Sequence, residues 1–531
     1  MTSSGPSRRA LLGAVPLLGG AVLLPSSAAS SAAAATAART GLAAAPALVR
    51  RDRPRLTHGV SAGDVGVDSG QLWARADRPS RLWAEVSADP SFRRSRWVRG
   101  PLVTPRTDLT GQVPLRGLPA GRDVFYRVTA VDEHRRQATS RPGTGHLRTA
   151  SRRPADVRFL WSGDIAGQGW GVNPAYGGFR IADAMTARDA DFFLCSGDNV
   201  YADGPLEEQV LLPSGETWTN LVTPEKTKVA ETLAEFRGQY RYNLEADNWR
   251  AFLARTPIVA QWDDHEVTNN WYPGELLTDE RYTERRVDVL ARRAKRAFHD
   301  YLPVAPISPD PDGRVYRVLH LGPMLDLFVL DMRSAKDPNT ANDETTRDGG
   351  VLGRTQTRWL LRELERSRAT WKVIAADLPI GLVVPDGTAQ EGIAQGDGGS
   401  PLGREIDLAT VLRGLQRLGI RNHVWLTADV HYTAAHHYSP ERASFSDFDP
   451  FWEFVSGPLN AGAFGPSALD ATFGPRAEFV AAPPRPNTSP AEGSQFFGEV
   501  GIDGATQELT VTLRDVEGGA LWSRTLQPER R

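Results

Sequence analysis

Six short apolar runs along this chain each stop at an acidic residue. They are VRFLW ahead of Asp164, FFLC ahead of Asp198, PIVAQW ahead of Asp263 and Asp264, LDLFVL ahead of Asp331, VIAA ahead of Asp377 and HVWLT ahead of Asp429. Runs this short, rich in branched and aromatic residues, predict buried strands. Helical periodicity falls between them. GFRIADAMTARDAD feeds FFLC, a long pattern from Thr227 to Arg255 feeds PIVAQW, RTQTRWLLRELERS feeds WKVIAA, and LATVLRGLQRLG feeds HVWLT. ERYTERRVDVLARRAKRAFHDYLP predicts one more amphipathic helix, whose basic side reads as a solvated face. Strands alternating with helices predict an α/β layered domain. On local pattern alone this would be a doubly wound parallel sheet.

The flanks have a different pattern. Residues 55–150 alternate with period two, as in GQLWARA, RLWAEVSA and VFYRVTAVD, and Gly, Pro and Asp turns separate the stretches. This predicts a small antiparallel β-sandwich. The polar SRRPAD segment that follows is a linker, and residues 155–527 form the main domain. At the far end, TVTLRD and ALWSRTL around a Glu-Gly-Gly turn predict a hairpin that extends the edge of the main sheet.

Composition narrows the class. The chain has 531 residues, 40% hydrophobic and 24% charged, as an ordinary globular protein of two or three domains would. The net charge of −2 gives no overall pull toward nucleic acid or an anionic membrane. Residues 1–38 read as a signal peptide: Arg8 and Arg9 precede an apolar stretch, no acid appears before Asp52, and A-x-A sites follow near Ala34 to Ala38. The paired arginines imply the twin-arginine export machinery as a partner, with a general secretory signal as the other reading, and a secreted or wall-associated product. The apolar stretch is broken by Gly and Pro and is too short for a retained transmembrane helix. The one cysteine, Cys195, excludes an intrachain disulfide and lies inside an apolar run, where it reads as core.

Carboxylates just past strand ends sit at a sheet rim, where open α/β folds place their ligands. Several of them together repel, and cations remove that cost. The motifs give candidates. GDNVY joins Asp198, able to bridge two cations, to Tyr201, whose phenolate suits ferric iron. WDDHEVTNN sets Asp264 beside His265, placed to pass a proton to a substrate oxygen. TADVHY spaces Asp429 and His431 at i and i+2. His436 and His437, just beyond, read as surface or outer groups. SGDIAGQGWG around Asp164 is a flexible turn whose backbone N–H groups could approach an anion. DMRS offers Arg333, whose fork fits two phosphate oxygens, beside Asp331, with an Asp–Arg structural pair as the other reading.

The ordered series GD, GDNVY, WDDHE and ADVH resembles the calcineurin-like metallophosphoesterases, and more closely the PhoD-type alkaline phosphatases. GVSAGD and QLWAR near 59–75, and EFVSGPLNAG near 453–462, are similar to further motifs of that family. The resemblance implies a four-layer sandwich of two mixed sheets flanked by helices, with a fibronectin-type-III-like β-sandwich ahead of it, in place of the doubly wound sheet. It implies Fe3+ with Ca2+, and hydrolysis of phosphomonoesters, and often diesters, by a metal-bound hydroxide. Carried over, Asp198 bridges the metals and Tyr201 binds iron. Asp264 stands where the wider superfamily has Asn, Asp429 where it has His, and His431 matches a retained His. Asp164 occupies the place of a family Cys, as in the purple acid phosphatases. Asp377 stands near a His position of other members. In this frame His265 serves the leaving group and Arg333 holds a phosphate oxygen. Two other readings are a phosphodiesterase acting on phospholipid or cell-wall polymer, with 205–225 and 386–400 forming a wider rim, and a non-catalytic wall-binding protein.

Overall fold

The computed structural model describes residues 53–135, 138–306, 313–346 and 350–529; the signal segment read at 1–38 lies outside them. All six apolar runs are strands. Val157–Ser162, Phe192–Ser196 and Ile258–Gln261 pair in parallel at the centre of a nine-stranded sheet. Leu325–Val329, Trp371–Ala375 and His423–Thr427 pair in parallel in a seven-stranded sheet.

Both sheets are mixed. In the first, Phe496–Ile502 pairs antiparallel with Val157–Ser162, and the hairpin Leu509–Asp515 and Ala520–Leu526 continues that edge. On the opposite edge Leu56–Gly63 meets Ile258–Gln261 through Gly63 and Ile258, and Ser69–Ala76 and Thr110–Arg116 follow it. The amino-terminal β-segment thus supplies three strands to the large sheet. Its others, Ser80–Ser87, Arg96–Val103, Asp123–Asp132 and Gly143–Arg148, form a separate four-stranded antiparallel sheet.

Period-two alternation gives each central strand two buried faces. Trp161, Leu194 and Val259 pack with Leu327, Val373 and Leu426 of the second sheet. Their neighbours Leu160, Phe193, Cys195 and Ala260 pack with Met185, Phe252 and Phe298 from the helical side. Cys195 is buried and free, as its run implied. Across the second sheet, Phe328, Ile374 and Trp425 meet Leu360, Leu364, Leu412 and Leu415 of the helices Gly353–Arg366 and Glu405–Arg417.

Two helical patterns need correction. Thr227 to Arg255 is not one helix but two, Leu233–Asn243 and Asp247–Arg255. The first begins at a capping box in which Thr232 and Glu235 satisfy each other's backbone N–H groups. It ends where Asn243 turns its amide to the Asn199 carbonyl, 2.7 Å away, in the GDNVY loop. The GFRIADAMTARDAD pattern yields only Ile181–Thr186 as α-helix. The chain leaves it early because Asp189 takes a φ of 48° and Asp191 N–H bonds the Arg158 carbonyl at 2.7 Å. Among the described residues no helix is long and apolar enough to cross a membrane.

Candidate metal centre

Asp164, Asp198, Asp429 and His431 follow three different strands, and all four have positive φ: 65°, 46°, 65° and 59°. A left-handed residue turns the chain sharply at the strand end, and Asp tolerates that conformation better than most residues. Four such positions at one rim are the local strain that functional sites retain.

The turns bring donors together in three overlapping groups, each with ligand atoms within 4.8 Å of one another. Asp164, Asp198 and His431 make the first, Asp198, Asp264 and His265 the second, and Asp263, Asp264 and Asp429 the third. Asp198 belongs to two groups, as does Asp264.

Tyr201 joins the first group. Its ring is buried, its hydroxyl lies 2.8 Å from His431 Nε2, and the His265 ring covers it at 4.2 Å. Gly167 makes room on the ring, since a Cβ there would collide with it. The Gly462 carbonyl receives His431 Nδ1, which puts the proton on that nitrogen and leaves Nε2 as an acceptor. Burial pushes His431 down to about 4. Its 3.5 Å approach to Asp164 is therefore a contact of a neutral ring and not an ion pair.

His265 is held by a residue the sequence reading passed over. Asp203 lies 2.8 Å from His265 Nδ1 and also accepts the Asn269 N–H at 2.8 Å. Burial works against a charge on this ring, but Asp203 and then Asp264 override it and raise His265 to about 9. Glu266 ties the loops together, accepting from the backbone of Asn199 at 2.6 Å and of Asp263 at 2.8 Å. The only sequence signal for Asp203 was its place in GDNVYAD, two residues past the tyrosine.

Arg333 comes to the third group, but not as a free fork. The side chain is 0% exposed, and its guanidinium contacts Asp263 and Glu391, with Asp429 at 3.3 Å and Asp264 at 3.7 Å. Glu391 comes from the stretch expected to form a rim; it is fully buried instead, with Lys336 Nζ 3.8 Å away. No local pattern marked it. Asp331 does not pair with the Arg333 guanidinium. It accepts from Trp262 Nε1 at 2.9 Å and from the Arg333 and Ser334 N–H groups, which fixes the turn. Asp377 is in none of the donor groups and accepts from Gln261 Nε2 at 3.0 Å. His436 is buried against Glu453 at 3.2 Å, away from the donor groups, and His437 packs against Trp452 with the rings tilted at 51°.

The electrostatics call for cations. Burial, then like-charge repulsion, pushes Asp164, Asp198 and Asp429 well above the usual carboxylate range. The leading repulsive neighbour is Asp263 for Asp164 and Asp429, and Asp264 for Asp198. Asp264 goes the other way: burial raises it, but His265, Arg333 and the Asn270 N–H bring it down to about 2. Asp164 Oδ2 and Asp263 Oδ2 are buried without a hydrogen-bond partner. Gly457 keeps the space beside Asp164 Oδ2 clear, since a Cβ there would strike it. Unpartnered carboxylate oxygens grouped with an imidazole acceptor fit hard divalent or trivalent cations.

Mixed sheets whose strand ends gather carboxylates around a shared Asp define a metal-dependent phosphoesterase. A purple acid phosphatase, PPD1 from yellow lupin (Lupinus luteus) seeds, has a similar fold, with a TM-score of 0.53 at 12% identity over 90% of this chain and 74% of that one. A solved structure of PhoD is closer, with a TM-score of 0.68 at 20% identity over 89% of this chain and 90% of that one. The chain belongs to the PhoD-like phosphatase family: the family model matches residues 159–513, and that of the PhoD-like phosphatase N-terminal domain matches 41–151. Alkaline phosphatase D of Bacillus subtilis (strain 168) is 26% identical over 438 residues, covering 77% of this chain and 70% of that protein. The protein is a hydrolase of phosphoric esters.

Proposed function

We propose that this protein is a secreted alkaline phosphatase that releases inorganic phosphate from phosphomonoesters at a site for Fe3+ and Ca2+. The observation that carries the reading is Asp198, shared between two donor groups as a bridging carboxylate must be. The alkaline phosphatase D name of the Bacillus subtilis relative supports the same substrate class. Secretion rests on the leader read at 1–38. The apolar cluster common to both large sheets, with helices packed outside each, supports the four-layer reading. Residues 55–150 are assigned to a fibronectin-type-III-like β-domain and 155–527 to the catalytic domain. The direct test is turnover of a monoester against a diester. A monoester preference is expected, and a larger kcat/KM for the diester overturns the assignment.

Asp164, Asp198, Tyr201 and His431 would hold the iron, and Asp198, Asp264 and Asp429 the calcium. Bound cations draw charge from phosphate oxygens and acidify an attacking water. The chain's own groups do the rest. Arg333, engaged by Asp263, Glu391 and Asp429, acts as the internal counter-ion of the acid wall. To clamp a phosphate oxygen it would have to leave those partners. Asp203 fixes the His265 ring and favours its protonated form, so that Nε2 can give a proton to the leaving oxygen.

Two outcomes follow from these roles. A phenolate on ferric iron absorbs visible light, so purified protein should be coloured and Tyr201→Phe should bleach it. Colourless protein that is fully active with zinc alone would count against iron. For His265, His265→Ala should keep its metal and lose roughly 10²–10⁴-fold in rate on an alkyl phosphate. The loss should be smaller on p-nitrophenyl phosphate, whose leaving group needs little protonation. Asp203→Asn should reproduce the same ester dependence more weakly. Equal losses on both esters would place His265 on the phosphate instead. Loss of metal would make it a ligand, which its position in the second donor group permits.

A further inference from the structure

The loop that carries the metal donors has a second side. Trp262 and Trp271 flank the sequence DDHEVTNN, and their rings meet edge to face at 5.7 Å. Both are buried, and both line a groove of about 510 Å³. The opposite wall is the helix Val287–Tyr301, which contributes Arg292, Arg293, Lys295 and Arg296. Ser334, the residue after Arg333, also lines it.

This wall is the basic helix face that sequence alone read as solvated. Arg292, Lys295 and Arg296 fall at i, i+3 and i+4, on one side of the helix. Arg296 is paired with Asp300 at 3.1 Å, and Arg293 donates to the Glu231 carbonyl. Arg292 and Lys295 have no carboxylate partner among the described residues. Lys295 sits 4.9 Å over the Trp262 ring and 3.4 Å from Ser334 Oγ. The acid in the lining, Asp288, is turned to the Gly274 N–H at 2.9 Å. Two cations without carboxylate partners beside a hydroxyl are the complement of a small oxyanion.

We propose that the groove between Trp262–Pro273 and the helix Val287–Tyr301 is a second anion site that takes a phosphate group outside the metal centre. The phosphate belongs either to a substrate carrying more than one phosphate or to free inorganic phosphate. One loop, Trp262 to Trp271, both lines this groove and carries Asp263, Asp264 and His265 of the donor groups.

The test is calorimetric titration of the metal-loaded protein with inorganic phosphate. Two sites are expected in the parent protein, and one in Arg292→Ala/Lys295→Ala. The double variant should hydrolyse p-nitrophenyl phosphate at the parent rate, so failure of this site and failure of the phosphatase reading are distinguishable. A raised KM for an oligomeric phosphate ester, with p-nitrophenyl phosphate unchanged, identifies the occupant as the substrate's own second phosphate. An unchanged KM, with the second phosphate site lost, identifies free phosphate. A single phosphate site in the parent protein overturns the proposal, as does unaltered two-site binding in both Arg292→Ala/Lys295→Ala and Arg292→Glu.

Discussion

Asp198→Asn is expected to lower turnover by more than roughly a hundredfold, beyond the 10–100-fold typical of groups that only support a metal ligand. The reason is its position. Asp198 is the carboxylate common to the Asp164–His431 group and the Asp264–His265 group, so one substitution withdraws charge from both. Its backbone is set at a φ of 46°, and the His265 N–H reaches its Oδ1 at 3.2 Å, so the loop keeps its frame after an isosteric change. The same substitution has the opposite sign in the metal-stripped protein. There Asp198 is a buried carboxyl facing Asp264, Asp263 and Asp164, and removing it relieves repulsion. The variant should therefore melt higher than the parent when both are stripped, and gain less when metal is restored. Near-parent turnover with full metal content by elemental analysis would refute the bridging role.

Stripping the cations is expected to lower the melting temperature by about 4 °C for each cation lost, since a ligand at a thousandfold its dissociation constant contributes about 4 kcal/mol and a chain of this size melts with about 1 kcal/mol per K of entropy. The loss should grow with pH. Asp164, Asp198 and Asp429 have folded-state values raised above 3.8, burial being the largest cause. Groups raised in this way contribute stability below their unfolded value and lose it as pH climbs through the folded one. Stripped protein should therefore weaken steadily from about pH 4 upward, while loaded protein, its charges balanced, stays flatter over the same range. A calcium-selective chelator should abolish activity reversibly and leave the colour of the iron. Parallel pH profiles for stripped and loaded protein would mean that the acid wall is neutralised by Arg333 and Lys336 alone. Full activity with no calcium detectable would remove calcium from the site.

Much of this centre was legible along the chain because its parts are local. A strand followed at once by Asp is visible as an apolar run that stops, and all six such runs are strands of the two large sheets. The donor types were also visible, as were the terminal hairpin and the sheet edge it extends. Asp203 and Glu391 were not. Asp203 matters because it touches His265, 62 positions away, and Glu391 because a long loop folds inward to Arg333, 58 positions away. Residue type and spacing do not encode such closures.

Arg333 shows the division most clearly. Its sequence placed it after a strand with the chemistry of a phosphate clamp. Only the folded chain puts Asp263, Glu391 and Asp429 around it, because a guanidinium buried at 0% exposure needs carboxylates. The basic helix is the reverse case: its charges were plain in the sequence, but the two tryptophans that turn a charged face into a groove arrive from the metal loop. The class of chemistry follows from the identity of the residues next to strand ends. Packing of the two sheets sets which donors come together and which cations are already paired. Those depend on contacts across long chain separations, such as Tyr201 with His431, 230 positions apart, that only packing of the two sheets brings within hydrogen-bond reach.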